Sequence, residues 1–413
     1  MKQGFNFFSP IPPTFAAMKR QLKVQLAILM FFQYFIWGGW YVTTGTYLLT
    51  ELQFNGTQIG LVYGATAVAA FISPFLSGLL ADRLVAVEKL LGIFHGLGGG
   101  LLIWASFLKT FAWFYPVLLL YTFLFVPTFA LSSSLVFHHV VDRAKDYSRI
   151  RVWGTLGWIL AGLLISYLHW EHRPFPMQLS GIASVILAIY CFFLPHTPPI
   201  QGPKTSLKDL LGKEAKALFF NKAFLVFIIG MILIRIPASF YYSFVNPFLY
   251  EIGVPNPAGK MSIGQMMEII LMVTFPFVYY RLGLKNVLLL GMFAWGFRYL
   301  LFGYGDADAG VWMIYVAIIL HGITYNYTSH AGQIYMDQSV PPHLRSTAQG
   351  FITFLIMGIG ALAGSIYSGY IVDQYTLDSG QHLWKEIFWY PAGIGLATTF
   401  FFALFFWPKK KLG

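Results

Sequence analysis

The stretch TPPIQGPKTSLKDLLGKEAKALFFN, residues 197–221, is the one long polar connection in a chain of 413 residues that is otherwise a succession of apolar runs. Six such runs precede it and six follow. Hydrophobic residues make up 57% of the sequence and charged ones 10%, against about 25% charged in soluble domains. A hydrocarbon core about 30 Å thick needs roughly 20 apolar residues per helix. On that measure spans are expected near 22–49, 57–81, 88–109, 113–140, 150–169, 177–195, 222–250, 261–281, 286–304, 311–338, 345–372 and 384–408. The reading is an all-α membrane protein of twelve transmembrane helices. Its expected division is residues 1–196 and 222–413, six helices each, joined by a cytoplasmic linker at 197–221.

Charge sets the orientation. Of the 27 Lys and Arg residues, Lys109, Arg173, Lys260 and Lys385 fall in one set of loops, and Arg235 and Arg298 fall inside spans. The others lie in the N-terminal segment, the alternate connections, the central connection and the tail Lys409-Lys410-Lys411. Basic residues mark the cytoplasmic side, so both termini are expected in the cytoplasm. The formal net charge of +11 is then a topology signal. Nucleic-acid binding would want the basic residues on one face of a soluble domain, and no nucleic-acid partner is expected. Cys191 is the sole cysteine, which excludes disulfides and cysteine-rich metal sites. Residues 1–17 lack the basic region followed by an apolar stretch of a cleavable signal.

The two sets of six carry weak internal similarity. Ser73-Pro74-Phe75 parallels Phe275-Pro276-Phe277, and Arg149-x4-Gly154 parallels Arg345-x4-Gly350. Parallel halves with a substrate site at their interface are the architecture of major-facilitator transporters. The run Gly78-x3-Asp82-Arg83 after the second span resembles the gating-loop signature of that superfamily. Its glycine allows close helix approach, and its carboxylate can act on a helix N-terminus or a basic partner. A solvated helix-end turn would also account for it.

Polar groups inside a span are costly, roughly 2.5–3.5 kcal/mol for a central charge, so they mark the places to look for chemistry. Glu268 is the one acidic residue well inside an expected span, and Gln265 shares its helix face. Glu268 either changes charge during transport or pairs permanently with Arg235 or Arg298. Arg151, Thr155 and Trp158 recur at i, i+4 and i+7, a charge, a hydroxyl and an aromatic on one stripe, a pattern that plain packing also produces. The tenth span is the most polar: His321, Thr324, Tyr325, Asn326, Tyr327, Thr328, Ser329, His330 and Gln333. No lipid-facing helix would carry this set. The first span adds Gln33, Trp37, Trp40, Tyr41, Thr43 and Thr44.

The runs Gln33-Tyr-Phe-Ile-Trp37-Gly-Gly-Trp40, Ile150-Arg151-Val-Trp153-Gly154-Thr155-Leu-Gly157, Thr274-Phe-Pro276-Phe277, Gly283-Leu-Lys285-Asn286-Val287 and Ala348-Gln349-Gly350 resemble the bacterial nucleoside:proton symporters of the major facilitator superfamily. The similarity runs from about Met18 to the last span. It implies nucleoside uptake driven by the proton gradient, in a bacterial inner membrane, with the lipid bilayer as surroundings and no cofactor or metal. It also implies substrate contacts at Arg151, Thr155, Trp158, Gln265, Glu268 and Tyr325. The family's amide positions in the seventh span fall on Ser239 and Tyr242, a tyrosine is replaced by His321, and an aspartate is replaced by Asn326. Asparagine can hydrogen-bond but cannot take up and release a proton. Glu268 is therefore the expected coupling carboxylate, with His321 able to share the proton, and Asn326→Asp is expected to be tolerated.

Two other classes compete. A carrier of a sugar, an amino-sugar or another small polar metabolite on the same fold, or an uncoupled facilitator, would show the same span pattern. A membrane-embedded prenyltransferase would want clustered carboxylates for Mg²⁺, and no DxxD-type cluster occurs. His138 and His139 are adjacent rather than four apart, which makes a poor metal site. Enzymatic activity is not expected.

Overall fold

The computed structural model describes residues 20–81, 85–140, 143–198, 221–340 and 352–408. Among the described residues the regular structure is helical apart from a single bridge between Thr376 and His382. Before the central connection come α1 (Arg20–Tyr41), α2 (Thr44–Thr50), α3 (Gly56–Ala81), α4 (Val87–Ala105), α5 (Phe111–His139), α6 (Arg143–Tyr167) and α7 (Phe175–Cys191). After it come α8 (Lys222–Phe240), a π-helical turn at Tyr241–Val245, and α9 (Asn246–Glu251). The remaining elements are α10 (Pro257–Tyr304), α11 (Val311–Ile319), α12 (His321–Ser339), a second π-helical stretch at Phe354–Gly360, α13 (Ala361–Gln374) and α14 (Trp384–Phe405). Among the described residues, seven helical segments are long and apolar enough to cross a membrane, and Gly56–Phe71 and Phe175–Cys191 are shorter apolar helices.

Three of the expected spans are organised differently from the sequence reading. Residues 261–281 and 286–304 run on as one element, α10, whose backbone turns at Gly283 (φ 73°, ψ 167°). That φ is open to glycine and strained for other residues. Pro276 lies inside the helical part. The expected span 311–338 is divided at Leu320 into α11 and α12. Gly78 lies in the last turn of α3, whereas Asp82 and Arg83 fall outside the described residues.

Helices before the central connection pack chiefly on one another, α1 on α6 and α7, and α4 on α5 and α7. Those after it do the same, α10 on α12 and α14, and α8 on α13 and α14. The two sets meet along α3–α13, α6–α10 and α2–α9. Glycines make the close approaches possible, as small residues do where helices pack in lipid. A Cβ on Gly154 would fall 2.6 Å from the Tyr34 ring, and one on Gly157 would collide with the Phe31 carbonyl. The glycines of the Arg-x2-Gly run thus seat α6 directly on α1. Gly322 sits the same way against the Met267 backbone, bringing α12 onto α10.

At the end of the bundle away from the central connection the two sets are joined by hydrogen bonds. The Asp373 carboxylate, at the end of α13, accepts from Gly56 N (2.5 Å), Thr57 N (2.8 Å) and Thr57 Oγ1 (2.5 Å) at the start of α3. A carboxylate there satisfies otherwise unpaired N–H groups and suits the positive end of the helix dipole. Thr46 Oγ1 donates to Asn246 Oδ1 (2.5 Å), and Gly259 N donates to Ser166 Oγ (2.6 Å), which itself donates to Glu171.

Candidate functional site

Between these sets, around Glu268, lies a layer of polar side chains from α1, α6, α8, α10 and α12. The Glu268 side chain is half-buried. Among the described residues its carboxylate makes no ion pair with either Arg235 or Arg298. The permanent interhelical pair weighed from the sequence is therefore not present. The positive charge that bears on Glu268 is Arg151, which comes from α6 in the other set. Arg151 stacks its guanidinium on the Tyr34 ring of α1, 3.8 Å from the ring centre. Both charges also bear on Tyr325 of α12, so Arg151, Tyr34, Glu268 and Tyr325 share one electrostatic neighbourhood.

Gln265 is 7% exposed, and its Oε1 is buried without a partner. A buried amide oxygen left unpaired costs about 1–3 kcal/mol, so this atom is an acceptor awaiting a donor. Thr155, one helical turn after Arg151, is half-buried. Tyr242, in the π-helical turn, lies 5.8 Å from the Tyr41 ring and 6.3 Å from His321. Arg235 of α8 bears on Tyr41, Tyr242 and Tyr325, and its Nε is buried and unpartnered. Arg235 and Tyr34 were not picked out as site residues from the sequence. Arg235 was visible there as a charge inside a span, but was weighed only as a counter-ion.

Four of the expected residues are engaged in packing. Trp158 meets Trp37 edge-on at 4.8 Å, and a Cβ on Gly38 would lie 2.9 Å from its ring. Ser239 donates towards the carbonyls of Arg235 (3.0 Å) and Ala361 (3.3 Å), facing α13. His321 is buried, stacked on Tyr241 at 4.8 Å, with Nδ1 3.3 Å from Arg298 Nη1. A guanidinium only donates, so His321 Nδ1 accepts and the ring is held neutral, which argues against its sharing a proton. Arg298 is itself held over the Tyr241 ring at 4.1 Å.

Asn326 is fully buried, and its Nδ2 donates to the carbonyls of Glu268 (2.8 Å) and Gly322 (3.0 Å). It thereby ties α12 to the backbone of the residue carrying the site's carboxylate. An ionised aspartate has no hydrogen to give to either carbonyl. The expected tolerance of Asn326→Asp is thus at odds with this geometry. Among the described residues no group of three His, Cys, Asp or Glu side chains could hold a metal ion.

A family model described as "Nucleoside H+ symporter" matches residues 19–411. YegT of Escherichia coli K12 is 38% identical over 85% of this chain and 84% of its own length. The xanthosine permease of the same organism is 32% identical over 92% of this chain and 95% of its own. The crystal structure of the nucleoside transporter NupG superposes with a TM-score of 0.86 at 31% identity, covering 94% of this chain and all of that one. The chain belongs to the nucleoside:proton symporter family of the major facilitator superfamily, membrane carriers that take up nucleosides together with protons.

Proposed function

We propose that the polar layer between the two helix sets is the nucleoside site, that Arg151, Thr155, Gln265 and Glu268 bind the sugar end of the ligand, and that Glu268 carries the coupled proton. The observation that supports this best is the Glu268 carboxylate, unpaired among the described residues, with the Arg151 charge of the opposite set acting on it. Ribose hydroxyls both donate and accept. They suit a carboxylate and an amide oxygen as acceptors, with a guanidinium as donor. Tyr325, Tyr242 and Tyr34 supply aromatic faces for the flat heterocycle. Trp158, Ser239, His321 and Asn326 shape the site from behind.

In this reading the chain crosses a bacterial inner membrane twelve times, as two six-helix halves flanking residues 197–221, with both termini in the cytoplasm. Asp373, Thr46 and Ser166 then close the external end and release when the site faces outward, and Gly78, Asp82 and Arg83 serve the opposite gate. A nucleoside is uncharged, so one co-transported proton supplies about 2.3 kcal/mol per 100 mV, roughly fifty-fold accumulation. Reporters placed after Gly413 and near Lys208 should read cytoplasm, and one near Asp308 should read outside; the reverse at any of them breaks the topology. For the site, a competition panel of nucleosides and sugars against labelled nucleoside should show displacement by nucleosides and loss of binding in Arg151→Ala. Unchanged binding by Arg151→Ala would reduce that residue to a helix-end anchor.

A further inference from the structure

Outside the polar layer, an open groove of about 390 Å³ runs between α10 and α14 on the outer surface of the bundle. Leu282, Leu289, Leu290 and Phe293 of α10 line one wall, and Ala403 of α14 lies in the other. Leu282, Leu290 and Phe293 are each more than a third exposed, as suits side chains that meet lipid. The polar groups of the walls are occupied by their own helices. Thr399 Oγ1 donates to the Gly395 carbonyl (2.8 Å), and Asn286 Nδ2 donates to that of Leu282 (2.9 Å). From Asn286 to Phe293 the groove follows about two turns of helix, roughly 10 Å. That fits within one leaflet of a hydrocarbon core about 30 Å thick.

One end of the groove is basic. Lys285 Nζ donates to the carbonyl of Ala403 (2.8 Å), a groove residue, and lies 3.3 Å from the centre of the Trp407 ring. An ammonium has three donors, so this bond leaves two for a ligand. Among the described residues no carboxylate pairs with Lys285. Arg281, next in the chain to the groove's Leu282, is exposed, stacks on Phe277 at 4.4 Å and has no ion pair among the described residues either. Lys409, Lys410 and Lys411 follow Trp407 in the sequence.

We propose that this groove binds an anionic phospholipid, one acyl chain lying between α10 and α14 and the phosphate meeting the Lys285 ammonium at the basic end. An apolar groove open to the bilayer takes a hydrocarbon chain, and a tryptophan beside its end belongs at the level of the headgroups. Basic pockets between transmembrane helices take anionic headgroups. Cations without carboxylate partners favour a headgroup of net negative charge over a zwitterionic one, whose own ammonium they repel. The groove thus pairs a chain-shaped apolar wall with the charge that selects the head.

The test measures retention of tritiated dioleoylphosphatidylglycerol by the purified full-length carrier in detergent micelles, and its displacement by unlabelled lipids. Each basic residue near an anionic headgroup is worth about five-fold in affinity. Dioleoylphosphatidylglycerol should therefore displace the label roughly ten-fold better than dioleoylphosphatidylcholine, which has the same chains. Lys285→Gln should weaken retention by about five-fold, and Lys285→Arg should keep it. Ala403→Phe, which fills the groove and leaves the cations in place, should also weaken retention. Nucleoside binding should be unchanged in these variants, which shows that they are folded. Equal displacement by the two lipids in the unmutated protein would overturn the proposal and reduce Lys285 to an interface anchor. So would full retention by a folded Lys285→Gln or Ala403→Phe. Displacement by glycerol 1-phosphate as effective as by the whole lipid would overturn it too, because the groove would then contribute nothing.

Discussion

Two buried polar clusters, one on each side of the central connection, look alike in composition and differ in how their atoms are paired. In the first, Gln33 Nε2 donates to Thr128 Oγ1 (2.8 Å), His95 Nε2 lies 3.0 Å from Gln33 Oε1, and His95 Nδ1 lies 2.9 Å from Ser184 Oγ. Its four side chains are essentially inaccessible and each is hydrogen-bonded within the cluster. In the second, the Gln265 amide oxygen, the Arg235 Nε and the Asn326 Oδ1 are buried without partners, and the Glu268 carboxylate has no ion pair among the described residues. A satisfied network rigidifies a fold, and an incomplete one is expensive unless something else completes it. The first cluster therefore reads as structure that holds α1, α4, α5 and α7 together, and the second as a site.

The largest contrast should come from removing a polar group of the second cluster or its Arg151 partner. Arg151→Ala or Gln265→Ala should abolish measurable uptake at low nucleoside while membrane expression persists. The loss of one buried ligand hydrogen bond, about 1–3 kcal/mol, is roughly five- to hundred-fold or more in affinity. Wild-type uptake kinetics in both variants would remove the second cluster's claim to be a site.

Asn326→Asp is a sharper probe, because it swaps a double donor for a group that cannot donate when ionised. It should lower the melting temperature by several degrees and reduce uptake, since the Glu268 and Gly322 carbonyls each lose a hydrogen bond worth about 1 kcal/mol and face a new charge. A variant as stable as the parent, read by thermal unfolding, would mean that α10 and α12 are held together in another way.

The smallest functional effect is expected in the first cluster. Gln33→Leu should cost stability, about 1–3 kcal/mol for each partner left unsatisfied, yet leave the KM for nucleoside within about two-fold. A large change in KM with an unchanged melting point would place Gln33 in the transport path and erase the distinction.

How much of this was legible beforehand depended on what each signal encodes. Composition and the spacing of apolar runs carry the membrane class, because the bilayer sets segment length. The arginine–glycine run inside α6 is readable as a motif, and its glycines are needed for the seat on α1. Helical spacing gives the face of a side chain but not what that face meets. His321, Tyr325 and Thr328 share a stripe, yet His321 is claimed by Arg298, 23 residues away in the chain, and Thr328 Oγ1 turns back to the Thr324 carbonyl at 2.5 Å. Ser239 was expected near the ligand from the family resemblance, and its hydroxyl is turned to α13. The bend in α10 lies not at Pro276, whose missing N–H is the sequence-level signal for a kink, but at Gly283, where the requirement is a backbone angle that side-chain identity only permits.

The measurement that bears most directly on the central claim is nucleoside-coupled proton flux in proteoliposomes, compared for the unmutated protein and Glu268→Gln. The unmutated carrier should take up protons with saturating nucleoside and accumulate substrate under an imposed pH gradient. Glu268→Gln should still bind and exchange nucleoside while both proton uptake and gradient-driven accumulation fall to background. Full substrate-coupled proton uptake by Glu268→Gln would contradict the account, because the proton would then travel by a route that does not pass through the unpaired carboxylate.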